Sequence, residues 1–205
     1  MIRQERSSVR AEKSRRELTE IAINCFARYG FQGSSVDRIA RMAGVTKGAI
    51  YYHFRDKEDL LAAAVRDRIG EFEARVQNAC ANLGPAESLR RIADVCIEHA
   101  ESNDHPRFVM SIMIEAIDTN DEISSQLRDM MRRFRAFLRN LIKQGQATGA
   151  FRSDACPDEI AAAYTSSVLG AEAQFYQDPE AFVLRHTLKP AIERLMDYLQ
   201  ARPAQ

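Results

Sequence analysis

Apolar residues recur every three or four positions along most of the chain, which is the spacing of one face of an α-helix. The pattern predicts an all-α fold of about nine helices. The first helix carries an apolar stripe and ends at Gly30: Leu18, Ile21, Ala22, Cys25, Phe26 and Tyr29. The residues before it, Met1 to about Arg10, are polar and basic, so we expect them to form a mobile arm.

Two short helices follow, joined by a glycine turn. Ser34 and Ser35 can cap the first of them, and Asp37 completes a capping box with Ser34. Its apolar positions lie at helical spacing: Val36, Ile39, Ala40 and Ala43. Gly44 is placed to end this helix in the left-handed conformation, and Thr46 is placed to cap the next. A short helix, a tight turn and a second short helix predict a helix-turn-helix.

The second short helix has two different faces. Ile50 and Phe54, four residues apart, form an apolar ridge for packing. The adjoining arc holds Lys47, Gly48 and Tyr51, and Tyr52 and His53 extend it outward. A cation, a residue without a side chain and an aromatic hydroxyl form a polar surface that allows close approach, as in a DNA major groove. A short core helix with two surface aromatics is the alternative. Asp56 begins the next helix, so this one has about two turns.

The motifs across this region resemble the DNA-binding domain of TetR-family transcriptional repressors. The resemblance covers Lys13 to Leu61 in order and without gaps. The matching motifs are Gly30-Phe31, Ser34-Ser35-Val36, Ile39-Ala40, Ala43-Gly44-Val45-Thr46-Lys47-Gly48, Tyr51-Tyr52-His53-Phe54 and Lys57-Glu58-Leu60. It implies a homodimeric regulator of transcription that binds double-stranded DNA at a palindromic operator and is released by an unidentified small-molecule effector.

The resemblance and the two faces together suggest roles for individual side chains. We expect the second short helix to be the recognition helix. Its exposed arc, Lys47, Gly48 and Tyr51, would contact base edges, with Thr46 beside it. We expect phosphate contacts, which fix register without reading sequence, from Ser35, Tyr52, His53 and Lys57. The N-terminal arginines either reach a phosphate or a minor groove, or belong to a solvated tail: Arg3, Arg6 and Arg10.

Charge distribution agrees with a DNA-binding N-terminal end. The formal net charge is zero, but basic residues outnumber acidic ones by 12 to 8 up to Leu60, and acidic residues lead by 21 to 17 after it. We expect a helix-turn-helix domain over 1–56 and a helical ligand-binding and dimerisation domain over 57–205. Four widely spaced cysteines without a C-x-x-C fit reduced thiols. Without an apolar run of membrane-spanning length or a signal peptide, the expected location is the cytoplasm.

The fourth helix is long enough to connect the two domains. It is predicted from Lys57 to Leu83, where Gly84-Pro85 ends it. Because it starts at the DNA-binding end, its angle can set the spacing of two DNA-binding heads. Five further helices are predicted over 86–100, 106–118, 121–146, 157–176 and a last segment ending near Gln200. Pro190 must kink the last helix or restart it.

The last two helices are predicted to form the homodimer interface. Their apolar positions are Tyr164, Val168, Ala171 and Phe175 on one, and Leu188, Ile192, Leu195, Met196 and Leu199 on the other. Small residues between them would allow close helix approach to a second copy: Ala161, Ala162, Ser166, Ser167 and Gly170. The alternative is that these residues complete the core of one chain.

The middle helices contain soft and aromatic side chains near a few polar groups. Methionines and scattered polar atoms suit an adaptable pocket between helices. The candidate lining residues are Cys96, His99, Met110, Met113, Met131, Phe134, Tyr164 and Val168. Ordinary core packing is the alternative for each of them.

Catalytic, metal and cofactor sites are not indicated. Cys96, His99 and His105 lie near one another in sequence, but no fourth ligand completes a metal site. The chain has no G-x-S-x-G, no phosphate-binding glycine loop and no H-E-x-x-H, so we do not expect an enzyme or a cofactor. A DNA-organising protein without an effector, and an enzyme with a helical core, are the alternatives to a regulator.

Overall fold

The computed structural model describes residues 2–102, 110, 112 and 121–200, and all regular elements in that part of the chain are α-helices. Eight of these helices have defined bounds: α1 Ile2–Tyr29, α2 Val36–Ala43, α3 Lys47–His53, α4 Lys57–Cys80, α5 Pro85–Ala100, α6 Asp121–Ala147, α7 Pro157–Gln177 and α8 Leu184–Gln200. The all-α prediction is confirmed. The helix predicted over 106–118 lies outside the described residues except for helical positions 110 and 112.

Helix α1 is longer than predicted. It begins at Ile2, so residues 2–10, which were expected to form an arm, are part of this helix. No glycine or proline occurs between Ile2 and Tyr29, and the arginines, glutamates and alanines of this stretch are strong helix formers. A polar and basic composition therefore does not exclude a helix.

The described chain falls into two compact units. Unit 1 contains residues 1–70 and 107–126, and unit 2 contains residues 71–106 and 127–205. The predicted domain boundary at residue 56 coincides with the start of α4, whereas the compact units divide within α4. The reason is that the first half of α4 packs in unit 1, where Leu60, Leu61 and Val65 are buried.

Unit 2 is built on the packing of α5, α7 and α8. The buried Tyr164 hydroxyl donates a 2.7 Å hydrogen bond to the main-chain oxygen of Leu89, which ties α7 to α5. Exposed ion pairs also link α5 to α8, Arg90 with Glu193 at 2.9 Å and Lys189 with Asp94 at 2.6 Å. Exposed pairs contribute little, so burial of apolar side chains dominates the stability of this unit.

Helix α8 continues through a proline. Its assigned span runs from Leu184 to Gln200 with Pro190 inside it. The helix therefore does not restart at Pro190, which was one of the two outcomes predicted. None of the described helices has the length and apolar character needed to cross a membrane.

Candidate functional site

Side-chain caps and a left-handed glycine fix the geometry of α2 and α3. The Ser35 hydroxyl accepts a hydrogen bond from the Arg38 amide at 3.2 Å, and the Thr46 hydroxyl accepts one from the Ala49 amide at 3.2 Å. Gly44 ends α2 with φ of 65°, a conformation that favours glycine. The predicted helix-turn-helix is confirmed, including both caps and the two-turn length of α3.

Ser34 has a different place from the one predicted. It is buried, and its hydroxyl donates a 2.7 Å hydrogen bond to the main-chain oxygen of Gly30. The predicted capping box with Asp37 is therefore wrong. Ser34 supplies the donor that the Gly30 carbonyl, just after α1, needs away from water. Ser35 alone caps α2.

The two faces of α3 are separated as predicted. Ile50 and Phe54 are buried, with exposed fractions of 1% and 2%. Tyr51 and Tyr52 are 46% and 79% exposed. Aromatic side chains this exposed are unusual for a short helix that only packs, and they present hydroxyl donors to the surroundings.

Gly48 lies on the exposed arc of α3 without a structural need to be glycine. A Cβ built there meets only the Thr46 hydroxyl oxygen, at 3.8 Å, which is ordinary van der Waals contact. Its backbone is helical, and glycine in a helix costs up to about 1 kcal/mol relative to alanine. The packing of this chain thus gives no reason for a glycine, whereas a close external partner would.

Lys47 is held by an acid of the preceding helix. Its ammonium lies 3.0 Å from a carboxylate oxygen of Asp37, and the two side chains are 48% and 60% exposed. The hydrogen bond from Lys47 to Asp37, together with their charge attraction, raises the pKa of Lys47. The amine therefore stays protonated, and the pair joins α2 to α3 across the turn.

Lys57 is engaged by the protein's own backbone. Its ammonium donates to the main-chain oxygens of Phe31 and Ser34, at 3.0 and 3.1 Å, and lies 4.0 Å from the centre of the Phe31 ring. These bonds fix the start of α4 to the segment that precedes α2. Two of the three N–H donors are used in this way, which leaves one for the predicted phosphate contact.

The predicted effector residues separate into two groups. Cys96, Tyr164 and Val168 are buried in the core of unit 2. His99, Met131 and Phe134 are partly exposed in the same unit, and Met110 is partly exposed in unit 1. Met113 and His105 lie outside the described residues. Core packing therefore accounts for the first group, and an effector contact stays a prediction for the second.

The predicted dimer stripe belongs to the core of a single chain. Tyr164, Val168 and Ala171 on α7 and Leu188, Ile192, Met196 and Leu199 on α8 are buried in the core of unit 2. Ala161 is buried with them, whereas Ala162, Ser166 and Gly170 are exposed. The alternative of core packing is thus correct for the large apolar residues, because α7 and α8 use them to pack against each other and α5.

Glu172, which the sequence analysis did not single out, is a half-buried acid on α7. It follows Val168 by one turn, on the side of the helix that faces the core. Burial raises its pKa to about 8. Burial and the nearby Glu172 also raise the pKa of the Cys96 thiol well above its usual value. Extending the buried stripe of α7 by four residues would have found this acid.

Comparison with known proteins agrees with the helix-turn-helix geometry. The family described as "Bacterial regulatory proteins, tetR family" matches residues 18–64, and "Tetracyclin repressor-like, C-terminal domain" matches residues 85–172. The transcriptional repressor AcnR of Corynebacterium efficiens is 30% identical over 159 residues, which cover 76% of this chain and 78% of that protein. The chain belongs to the TetR family. Proteins of this family are transcriptional regulators and not enzymes.

A second relative of this TetR-family chain matches over a shorter stretch. The transcriptional regulator AcrR of Shigella flexneri is 31% identical over 117 residues, 56% of this chain and 54% of that protein. The chain therefore spans only about half the length of this relative.

Two solved structures share the fold. A TetR regulator from Chloroflexus aurantiacus superposes with a TM-score of 0.81 at 24% identity, covering 92% of this chain and 95% of that chain. The complex of SmeT, a multidrug efflux pump repressor of Stenotrophomonas maltophilia, with triclosan superposes with a TM-score of 0.78 at 22% identity, covering 92% of each chain. At these identities the similarity concerns the fold alone.

Proposed function

We propose that this chain is a ligand-responsive repressor of transcription that binds a palindromic operator and leaves it when a small molecule binds. The observation that carries this proposal is Gly48. It lies on the exposed arc of α3, among the exposed Lys47, Tyr51 and Tyr52, where the fold itself would accept an alanine. A helix that lies in a major groove must bring its backbone close to base edges, and a glycine permits that approach.

The remaining DNA contacts follow from the exposure of each side chain. Tyr51 and Lys47 face base edges beside Gly48, with Thr46 next to them at the helix N-terminus. The phosphate contacts come from Ser35, Tyr52, His53 and the free N–H of Lys57. Because phosphate contacts position the head without reading sequence, their loss weakens binding to all sequences alike.

The dimer is proposed to form through the outer faces of α7 and α8. Regulators of this family typically bind DNA as dimers. On α7 the small residues Ala162, Ser166 and Gly170 are exposed at four-residue spacing. Val183, just before α8, and Tyr198 on α8 are exposed large apolar side chains. Small residues permit close helix contact with a second copy, and two heads in one dimer bind two half-sites.

The effector is proposed to bind in unit 2 and to act through α4. This helix starts at the DNA-binding head, where Lys57 holds it to the backbone before α2. An effector that binds only an arrangement of α4 in which the two heads do not fit successive major grooves must lower DNA affinity, and DNA must lower effector affinity by the same factor. Since its proposed target is DNA, we propose that the protein acts in the cytoplasm.

Selection of bound sequences from a random DNA pool, at a stated salt concentration, tests this function directly. We expect a palindrome whose half-sites lie about one helical turn apart. Retention of the pool without an enriched sequence would instead support a DNA-organising protein, and no retention at all would contradict both.

Gly48→Ala tests the role of the glycine. The substitution should leave the fold intact or stabilise it by up to about 1 kcal/mol, because alanine is the better helix former. It should weaken operator binding by on the order of 1 to 3 kcal/mol, the range for a base-edge contact. Urea denaturation and operator titration measure the two effects separately.

Gly70→Ala provides the matched control. Gly70 is also a helical glycine, in α4, and a Cβ built there has no atom within 4 Å. This variant should be stabilised to a similar degree without a loss of operator affinity. Equal operator affinity in both variants would mean that the backbone at Gly48 does not approach DNA closely.

A further inference from the structure

Glu172 lies on a face of α7 whose other members are apolar or hydrogen-bonded within the helix. Ala161, Thr165 and Val168 precede it at intervals of four, three and four residues and are 1%, 4% and 5% exposed. This spacing keeps all four residues on one face of the helix. The Thr165 hydroxyl is satisfied by the main-chain oxygen of Ala161 at 2.8 Å. Glu172 is the charged member of an otherwise neutral stripe.

Glu172 has no donor among the residues that the structure describes. No hydrogen bond or ion pair reaches its carboxyl group there. Four cations of α6 and α8 are paired with other acids: Arg133 with Glu73, Arg139 with Asp158, Arg185 with Glu101 and Lys189 with Asp94. A half-buried acid without a partner is costly to ionise, and burial accordingly raises its pKa to about 8.

Two neutral groups of the unit 2 core lie on α5 and α7, the Cys96 thiol and the Tyr164 phenol. The Cys96 thiol is close enough for Glu172 to raise its pKa, and burial keeps both this thiol and the Tyr164 phenol in the neutral form. Cys96 and His99 are three residues apart on α5 and share one face of that helix.

An aromatic cluster borders the same face of α5. The Phe72 ring centre lies 5.2 Å from that of His99 and 6.3 Å from that of Phe134. Phe72 and Phe134 are only partly buried against the core of unit 2. Faces of aromatic rings attract cations, with an energy that grows as water is excluded. Unit 2 thus combines an acid that lacks a counter-charge with rings that are suited to a cation.

We propose that the effector site of unit 2 binds an organic cation, with the Glu172 carboxylate as its counter-charge and the rings of Phe72 and Phe134 alongside. This inference rests on the proposed function, because it names the chemical class of the effector. Binding such a cation ionises Glu172 and releases its proton to solvent. Affinity should therefore rise by about tenfold per pH unit up to about pH 8 and then level off.

Matched probes test the preference for positive charge. Benzyltrimethylammonium is compared with its uncharged carbon isostere neopentylbenzene, and tetraphenylphosphonium with the anion tetraphenylborate, by titration calorimetry at pH 8.5. We expect at least one cation to bind the wild-type protein about tenfold or more tightly than its counterpart. In Glu172→Gln, which keeps the side-chain volume, this preference should disappear.

Glu159→Gln is the control variant, since Glu159 is an exposed acid on the same helix. It should keep the preference for the cation. The inference is overturned if neither cation binds more tightly than its counterpart, or if the preference persists in Glu172→Gln. Far-UV circular dichroism of each variant confirms that the helices are intact, so that a loss of binding is not a loss of fold.

The DNA selection separates this inference from the proposed function. A protein that enriches a palindrome but shows no preference for cations remains a regulator, with an effector of another class. If the protein binds cations through Glu172 but enriches no DNA sequence, the cation site is supported and the proposed regulatory function is contradicted.

Discussion

The half-buried acid on α7 predicts an unusual dependence of stability on pH. Glu172 has a pKa of about 8 in the folded chain, compared with 4.5 for an unperturbed glutamate. Between these two values the unfolded chain has lost the proton while the folded chain retains it. The unfolded state therefore binds fewer protons, and the free energy of unfolding falls as pH rises from about 4.5 to about 8. Below this window Glu172 has no effect, and above it the destabilisation is complete.

The magnitude follows from the difference between the two pKa values. Each pKa unit corresponds to about 1.4 kcal/mol, so the shift sets an upper bound of about 5 kcal/mol. Partial exposure of Glu172 and entry of water reduce this bound, and even half of it is large beside the total stability of a domain. Glu172→Gln, which cannot ionise, should be more stable than wild type by an amount that grows across this window.

The assay is urea denaturation at pH values from 5 to 8.5, with protein concentration held constant because the proposed dimer would unfold in a concentration-dependent way. The chain contains no tryptophan, so far-UV circular dichroism is the appropriate signal. Other titrating groups contribute similarly to both proteins and cancel in the difference. Glu159→Gln should follow the wild-type profile. A difference between Glu172→Gln and wild type that is constant over this range would refute the assignment of a buried, unpaired acid.

Three further substitutions test the contacts described above. Lys57→Met should lower the free energy of unfolding by about 1 to 3 kcal/mol, because two main-chain carbonyls lose a charged donor. If stability is unchanged and the salt dependence of DNA binding becomes shallower, Lys57 only binds phosphate. Asp37→Asn should raise affinity for DNA because it removes a negative charge beside Lys47, while stability changes by less than about 1 kcal/mol. A weaker affinity would mean that Asp37 positions Lys47. Tyr164→Phe should destabilise by about 1 kcal/mol through the lost bond to Leu89, and a urea midpoint equal to that of wild type would contradict this.

The sequence by itself determined the all-α fold and most of the DNA-binding head. Apolar spacing, the caps Ser35 and Thr46 and the left-handed Gly44 act within one or two helical turns, so their effects are visible in local sequence. The same is true of the two faces of α3, where helical periodicity alone separates Ile50 from Tyr51.

Only the tertiary structure decided between roles that are equally compatible with helical spacing. The stripe containing Tyr164 and Val168 fits a dimer interface or a core by spacing alone, and the packing of α5, α7 and α8 assigns it to the core. Lys57 was expected to contact phosphate, and the structure ties its ammonium to the main-chain oxygens of Phe31 and Ser34, 26 and 23 residues earlier in the chain. Glutamate is a common helix residue, and the raised pKa of Glu172 arises from burial. These properties depend on contacts between segments far apart in the chain, which no local pattern specifies.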